Sequence, residues 1–310
     1  PFIDAHYRTL EGRSQRAVAG FSGGGLDTMI LAERHPDLFV AAGSFSGFLD
    51  PYSEVGQAVV QEFASLDQDL CGATYGWTAI WGDPAQHPMG WEGHDPLYLP
   101  ASLADTSVYL AVGNGAQWPS DVDPDPQLET IEGIALGMAQ SFDAALTASG
   151  VRHTVNYRSC GLHQFAHAGD DLKDFWPQMQ RAFGDHAPRE FDFSTGDASA
   201  GVYGWTFTAD AARAPEFLSF TNVSRAGLRA TGSGKTVVTT AALFEPGQYV
   251  LVWAGGLSLS LVRADRDGRA TFTIDLGRAH TLEQGTPEEL AAAAADPRYF
   301  TTRQVALLEL

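Results

Sequence analysis

Gly20-Phe21-Ser22-Gly23-Gly24 is the run in this 310-residue chain whose residue types most directly imply chemistry. A serine hydroxyl is a weak nucleophile until a neighbouring base takes its proton. In G-x-S-x-G the serine stands on a tight turn from strand to helix, flanked by small residues. The N–H of the next residue, here Gly23, donates to a developing oxyanion. The pattern is short and arises by chance, and a Gly-rich turn carrying an inert serine is its competing reading. Context favours the nucleophile. Arg16-Ala17-Val18-Ala19-Gly20 is short, apolar and strand-like, and a helical stretch follows from about Leu26 to Arg34.

A strand–elbow–helix of this kind belongs to the α/β-hydrolase fold, whose chain order is Ser, then acid, then His in a loop after the last strand. His163 is so placed, in Cys160-Gly161-Leu162-His163-Gln164-Phe165. His167 competes with it, and the two also form an i/i+4 pair of the kind that binds metal, although no third ligand stands out. The acid should follow the strand Ser107–Val112. Asp121, Asp123, Asp125, Glu129 and Glu132 are all candidates there, and residue reasoning does not separate them. A short distance from the strand favours Asp121. Glu132 stands at the mouth of an amphipathic helix, beside its apolar face.

Positions 1–184, which must hold these residues in place, alternate strand-like and helix-like segments. Leu38–Gly43, Ser107–Val112 and His153–Tyr157 read as buried strands. Ile131, Ile134, Ala135, Met138, Phe142, Ala145 and Leu146 recur at helical spacing, and a last helix runs from about Lys173 to Phe183. Strands joined by crossover helices imply a mainly parallel sheet covered on both faces. Pro51 to Pro100, rich in Gly, Pro and Trp, reads as an insertion of the sort that forms lids or binding walls.

After Pro188 the pattern becomes period-two. Leu257, Leu259 and Leu261 alternate with serines, and Ala270, Phe272, Ile274 and Leu276 alternate with polar residues. Asp265-Arg266-Asp267-Gly268 lies between them as a hairpin turn. Residues 190–280 are therefore expected to form an immunoglobulin-like β-sandwich. Residues 281–310 are read as a helix and tail. Trp205 and Trp253 are candidate glycan contacts in the sandwich, and core burial is the competing reading for both.

Net charge is −19, from 38 acidic against 19 basic residues. Such a surface repels phosphate backbones, and no basic cluster offsets it, which argues against nucleic acid as a partner. No apolar run reaches the ~20 residues that span a bilayer. The chain begins at Pro1, so the lack of a leader says nothing of compartment. Cys71 and Cys160 read as one bridge or as two buried thiols. Gly232-Ser233-Gly234-Lys235-Thr236 imitates the end of a P-loop. Arg229 stands where that motif needs Gly, and strand-like Val237-Val238-Thr239-Thr240 follows where a helix should open, so it is read as a turn. Asn222-Val223-Ser224 matches a glycosylation sequon, a weak signal.

The order of Tyr7-Arg8-Thr9, the elbow run, His35-Pro36, Ser44-Phe45-Ser46-Gly47, Ile80-Trp81-Gly82, His94-Asp95-Pro96 and Val112-Gly113-Asn114-Gly115 resembles the esterase D and mycolyltransferase (antigen 85) group over about residues 1–184. In that group the acid is a Glu in Leu-Glu-Gly-Phe opening a helix. Ile131-Glu132-Gly133-Ile134 is similar, so the resemblance implies Glu132. Gly161-Leu162-His163-Gln164-Phe165, after Asn156-Tyr157, is similar to the group's Gly-Thr-His-Ser-Trp, which implies His163 over His167. Phe165 stands where the group has Trp, and Ala166–Lys173 looks inserted. Group members carry further strands and the second oxyanion donor ahead of the elbow region, so this resemblance reads the chain as N-terminally truncated.

The expectation is thus an α/β-hydrolase catalytic domain over 1–186 followed by the sandwich. Ser22, His163 and Glu132 would transfer an acyl group from an ester to water or a sugar hydroxyl, with Gly23 in the oxyanion hole and no cofactor or metal. A plain carboxylesterase on acylated polysaccharide and a non-catalytic wall-binding protein are the rival readings. The resemblance further implies a secreted or cell-wall-associated protein that meets cell-wall glycan.

Overall fold

The computed structural model describes residues 2–71, 76–118, 125–255 and 258–310, with backbone alone at 3 and 66–71. They form two compact units, Pro1–Ile80 with His94–Ala187, and Trp81–Gly93 with Pro188–Leu310.

In the first unit β1 (Ala17–Phe21), β2 (Ala41–Phe45), β3 (Ser107–Val112) and β4 (His153–Tyr157) lie side by side in that order, all parallel. Among the helices, α1 (Phe2–His6) precedes the sheet, α2 (Gly23–Arg34) links β1 to β2, and α3 (Glu54–Cys71) follows β2. The short α4 (Pro88–Glu92) falls in the segment that belongs to the second unit. The helix α5 (Pro126–Ala148) links β3 to β4, and α6 (Phe165–Ala182) closes the unit. Alternate strand residues serve opposite faces. Ala42, Val108 and Leu110 pack with Met29 and Ala32 of α2 and Met138, Phe142 and Leu146 of α5. Ala41, Phe45, Tyr109 and Ala111 pack with Ala168, Phe175 and Met179 of α6. Every residue of β2 is buried, as expected for a central parallel strand with helices on both faces. Gly43 gives Phe175 its seat, since a Cβ there would lie 2.9 Å from the Phe175 ring. This is the α/β-hydrolase type of architecture expected from the alternating pattern.

In the second unit, β6 (Ser199–Val202), β7 (Trp205–Thr208), β10 (Lys235–Thr239) and β13 (Thr271–Asp275) make one antiparallel sheet, in the order β13-β10-β7-β6. The other sheet takes β5 (Glu190–Thr195), β8 (Leu218–Ser224), β9 (Gly227–Gly232), β11 (Tyr249–Trp253), β12 (Leu259–Arg263) and β14 (Thr301–Glu309), in the order β12-β11-β14-β9-β8-β5. One core joins them: Phe193, Phe220, Leu228, Val250 and Val305 from the larger sheet meet Trp205, Phe207, Val238 and Ile274 from the smaller. The Phe207 and Phe220 rings stack at 4.0 Å.

Four expectations change here. The order is not the immunoglobulin one, because β14 lies between β9 and β11 and widens that sheet to six strands. The stretch 281–310 is accordingly no tail: after α7 (Pro287–Ala295) it returns as an interior strand whose Val305 and Leu307 enter the core. The Asp265–Gly268 turn forms, with the Asp265 carboxylate accepting the Asp267 and Arg269 N–H groups, yet β12 and β13 pair in different sheets. The chain crosses the core there, burying Ala264 and Ala270 on either side of the turn. Trp205 is 3% exposed and belongs to the core, whereas Trp253 is 37% exposed. Leu257 lies outside the described residues.

The insertion Pro51–Pro100 also divides. Trp81–Gly93 belongs to the second unit, where the Met89 N–H donates to Glu283 at 3.1 Å. Burial, reinforced by the charges of Glu289 and Glu283, raises the Glu92 carboxyl to about 7. Gly232-Ser233-Gly234 is the turn from β9 to β10 rather than a phosphate cradle, and its glycines stand at φ 155° and 72°. No described helix is long and apolar enough to cross a membrane.

Candidate active site

The sharp turn at Ser22 is written into two glycines. Ser22 has φ 56° and ψ −122°, a left-handed φ that costs an L-residue energy and persists where the surroundings over-determine it. Its N–H donates to the Phe45 carbonyl at 3.0 Å, tying the elbow to β2. A Cβ on Gly20 would lie 2.0 Å from the Gly24 oxygen, and one on Gly25 would lie 2.5 Å from Ser44 Oγ and 2.8 Å from Gly47 Cα. A Cβ on Gly23 or Gly24 would meet nothing within 4 Å. Steric demand therefore falls on Gly20 and Gly25, one of which lies outside the five-residue pattern. Gly23 opens α2 and is exposed, so its N–H is one of the first-turn donors that a helix leaves free to face a ligand.

His163 lies in the loop between β4 and α6, 11% exposed at its side chain. Its Nε2 is 2.8 Å from Ser22 Oγ, and its Nδ1 is 2.8 Å from Glu132 Oε2. The Phe21 ring packs against the imidazole at 4.7 Å, fixing its plane from the β1 side. With Nδ1–H given to the carboxylate, Nε2 carries the lone pair that accepts from the serine.

Glu132 sits in the second turn of α5, which begins at Pro126 after the Asp125 cap. It is fully buried, in contrast to the expected place beside the apolar face. Oε1 accepts from the Gly113 N–H at 2.6 Å and from Ser46 Oγ at 2.7 Å. These donors satisfy the oxygen that His163 does not use, as a buried carboxylate requires. Ser46, at φ 45° just past β2, was not singled out by its own chemistry. A second left-handed serine at the end of a neighbouring strand is the feature that marks it. Gly113 is obligatory for a spatial reason: a Cβ there would lie 2.5 Å from the Gly161 oxygen and 2.9 Å from Glu132 Oε1.

The other candidates stand elsewhere. His167 lies in α6 with its ring stacked on Trp118 at 5.2 Å. Asp125 spends its carboxylate on the Gln127 N–H as the helix cap. Glu129 is in the first turn of α5, part-buried at the surface. Asp121 and Asp123 lie outside the described residues, as does the Cys71 side chain on which a bridge to Cys160 depends. Arg158, which follows β4, reaches beneath the site with Nη2 3.8 Å from Glu132 Oε1 and Nη1 donating to Asp171. Among the described residues no three His, Cys, Asp or Glu side chains converge as metal ligands.

Chemically, a hydroxyl, an imidazole and a buried carboxylate in a hydrogen-bonded row can move a proton off the hydroxyl and hold the charge so created. The putative esterase family matches residues 1–185. The chain is 31% identical over 176 residues to the diacylglycerol acyltransferase/mycolyltransferase Ag85B of Mycobacterium avium, covering 56% of this chain and 51% of that protein. To the Ag85A protein of Mycobacterium ulcerans, named in the same way, it is 32% identical over 171 residues, covering 54% and 48%. Among solved structures it is similar to Mycobacterium tuberculosis MPT51, at 25% identity and a TM-score of 0.48, over 59% of this chain and 64% of that one. The chain thus spans about half the length of the curated relatives it matches. With the family match covering residues 1–185, more than half of the chain and all four parallel strands with the elbow, the chain belongs to the putative esterase family.

Proposed function

We propose that the protein is a serine-dependent acyl-transfer enzyme acting on carboxylic esters, with Ser22 as nucleophile, His163 as base and Glu132 as the acid that orients the imidazole. The observation that carries this reading is the pair of 2.8 Å hydrogen bonds through which His163 joins Ser22 to Glu132. In this mechanism Ser22 Oγ attacks the ester carbonyl as its proton passes to His163 Nε2. The Gly23 N–H donates to the oxyanion, and Glu132 stabilises the imidazolium. The leaving alcohol takes the proton, and an acyl group remains on Ser22. Water or a sugar hydroxyl then enters, gives its proton to His163 and takes the acyl group, and the imidazolium returns that proton to the Ser22 oxygen as its bond to the acyl group breaks.

The relatives' names, diacylglycerol acyltransferase and mycolyltransferase, favour esters of lipid acyl groups as donors; the resemblance to the antigen 85 group adds a cell-envelope setting and a secreted or wall-associated protein. Hydrolase and transferase use the same three residues and differ in whether water is kept from the acyl-enzyme. The sandwich is assigned the role of retaining glycan or envelope substrate, and its residues supply no group to the proton relay.

An active-site fluorophosphonate is expected to label the protein at Ser22, and Ser22→Ala to abolish that label. Undiminished labelling of the variant overturns the assignment. Partition of the acyl-enzyme between water and added sugar, followed as free acid against sugar ester, then separates hydrolase from transferase.

A further inference from the structure

The loop that brings His163 to Glu132 brings a second charged side chain to the other oxygen of the same carboxylate. Arg158 is 9% exposed and Asp171, on α6, 1%. The Arg158 Nη1 donates to Asp171, while Nη2 stops 3.8 Å from Glu132 Oε1, beyond hydrogen-bond reach. Neither Nε nor Nη2 has a hydrogen-bond partner among the described residues. A buried guanidinium ordinarily spends its fork on one carboxylate, two bonds to two oxygens. Here one bond goes to Asp171 and the remaining charge faces Glu132, whose Oε1 is already filled by Gly113 and Ser46. The coupling of Arg158 to Glu132 is therefore electrostatic, through a buried region where screening is weak.

Among the described residues, the charged and titratable groups about His163 come from three elements. From α5 comes Glu132, and from its own loop Arg158. From α6 come Asp171 and His167, with exposed Asp170 behind them. β1 and the elbow contribute Phe21 and Ser22. Burial pushes the Asp171 carboxyl up against the pull of Arg158, so this counter-charge is costly to keep in place.

We propose that Arg158 is a positioning residue whose positive charge, divided between Asp171 and Glu132, sets how much negative charge Glu132 presents to the His163 imidazole. This rests on the reading of Ser22, His163 and Glu132 given above. Asp171 acts as the counterweight: the more firmly it holds the guanidinium, the more freely Glu132 can stabilise an imidazolium. The two residues thus affect the proton relay in opposite senses without touching the reacting atoms.

The test uses the rate of fluorophosphonate labelling at Ser22 as a function of pH, which needs no knowledge of the natural ester. Arg158→Gln removes the charge facing Glu132 and should move the acid limb of that profile to higher pH by about one unit. Asp171→Asn frees Arg158 for Glu132 and should move the limb to lower pH. Arg158→Lys, which keeps the charge, should bring the limb back towards wild type. The paired variant Arg158→Met with Asp171→Leu keeps the test open if either single variant fails to fold, because apolar replacement of a buried pair is tolerated. Both charges are then lost, and the limb should shift upward because Arg158 is the one that faces Glu132, at 3.8 Å. Limbs that move in the same direction for Arg158→Gln and Asp171→Asn, or rates that fall with the limb unmoved, overturn the inference. Loss of Ser22 labelling from the wild-type protein instead overturns the parent reading.

Discussion

The His163 imidazole and the Ser22 hydroxyl, 141 positions apart in the chain, meet at 2.8 Å. No local signal links them; β1 and the loop after β4 are brought together by the sheet. Replacing His163 with Ala is expected to lower turnover on a soluble aryl ester by about four orders of magnitude or more. His167→Gln, whose ring stacks on Trp118, should stay within about threefold of wild type, because only groups in the relay carry such losses. Steady-state kinetics of the two variants check this, and equal losses would contradict it.

Glu132→Gln keeps the shape and loses the charge, so the same assay should fall by about four orders of magnitude. Glu129→Gln, one turn earlier on α5, should leave the rate nearly unchanged. A collapse in Glu129→Gln with Glu132→Gln active would assign the acid the other way.

The elbow makes a steric prediction. Gly20→Ala places a Cβ 2.0 Å from the Gly24 oxygen and is expected to unfold the elbow and abolish Ser22 labelling. Gly23→Ala meets nothing within 4 Å and keeps its N–H, so it should label normally. Intrinsic fluorescence and labelling yield report both, and a tolerated Gly20→Ala would refute the crowding argument.

Asp95 is 2% exposed and its carboxyl is raised to about 7, chiefly by burial and further by Asp50. A folded value above the unfolded one means that the native state holds the proton more firmly. Stability is then fully present below about pH 4 and is lost as pH rises through about 7, by on the order of 4 kcal/mol for this group. Asp95→Asn should flatten that fall. Urea midpoints of wild type and variant at pH 4.5 and 7.5 should diverge in the variant's favour at the higher pH, and parallel midpoints would contradict the assignment.

Trp205→Ala opens a cavity in the sandwich core and should destabilise that unit by about 3–5 kcal/mol. Trp253→Ala, at the surface, should cost less than about 1 kcal/mol. Glycan retention that follows Trp205 in a folded variant would reverse this distinction.

What was legible in the sequence follows from how local each feature is. The Ser22 elbow is a contiguous strand–turn–helix, and the G-x-S-x-G run displays it directly. The alternation of strands with crossover helices, which implies a mainly parallel sheet, and the period-two strands after Pro188 are equally visible, because each segment's pattern is its own. Glu132 could not be told from Asp121 or Glu129 by residue type, since only folding decides which carboxylate faces His163. The resemblance to the antigen 85 group singled it out. Ser46 and Arg158 reach Glu132 from remote strands, and a lone serine or arginine leaves no trace of that. The place of β14 was missed for the same reason: pairing with β9 and β11 is a long-range choice that alternation does not encode.

That place has a consequence for synthesis. During translation β9 and β11 emerge well before Thr301–Glu309, and neither can complete its hydrogen bonding until the strand between them arrives. Meanwhile each exposes an open, apolar-faced edge of the kind that recruits strands from neighbouring chains. The sandwich is thus open to misassembly in the interval before Thr301–Glu309 has been made.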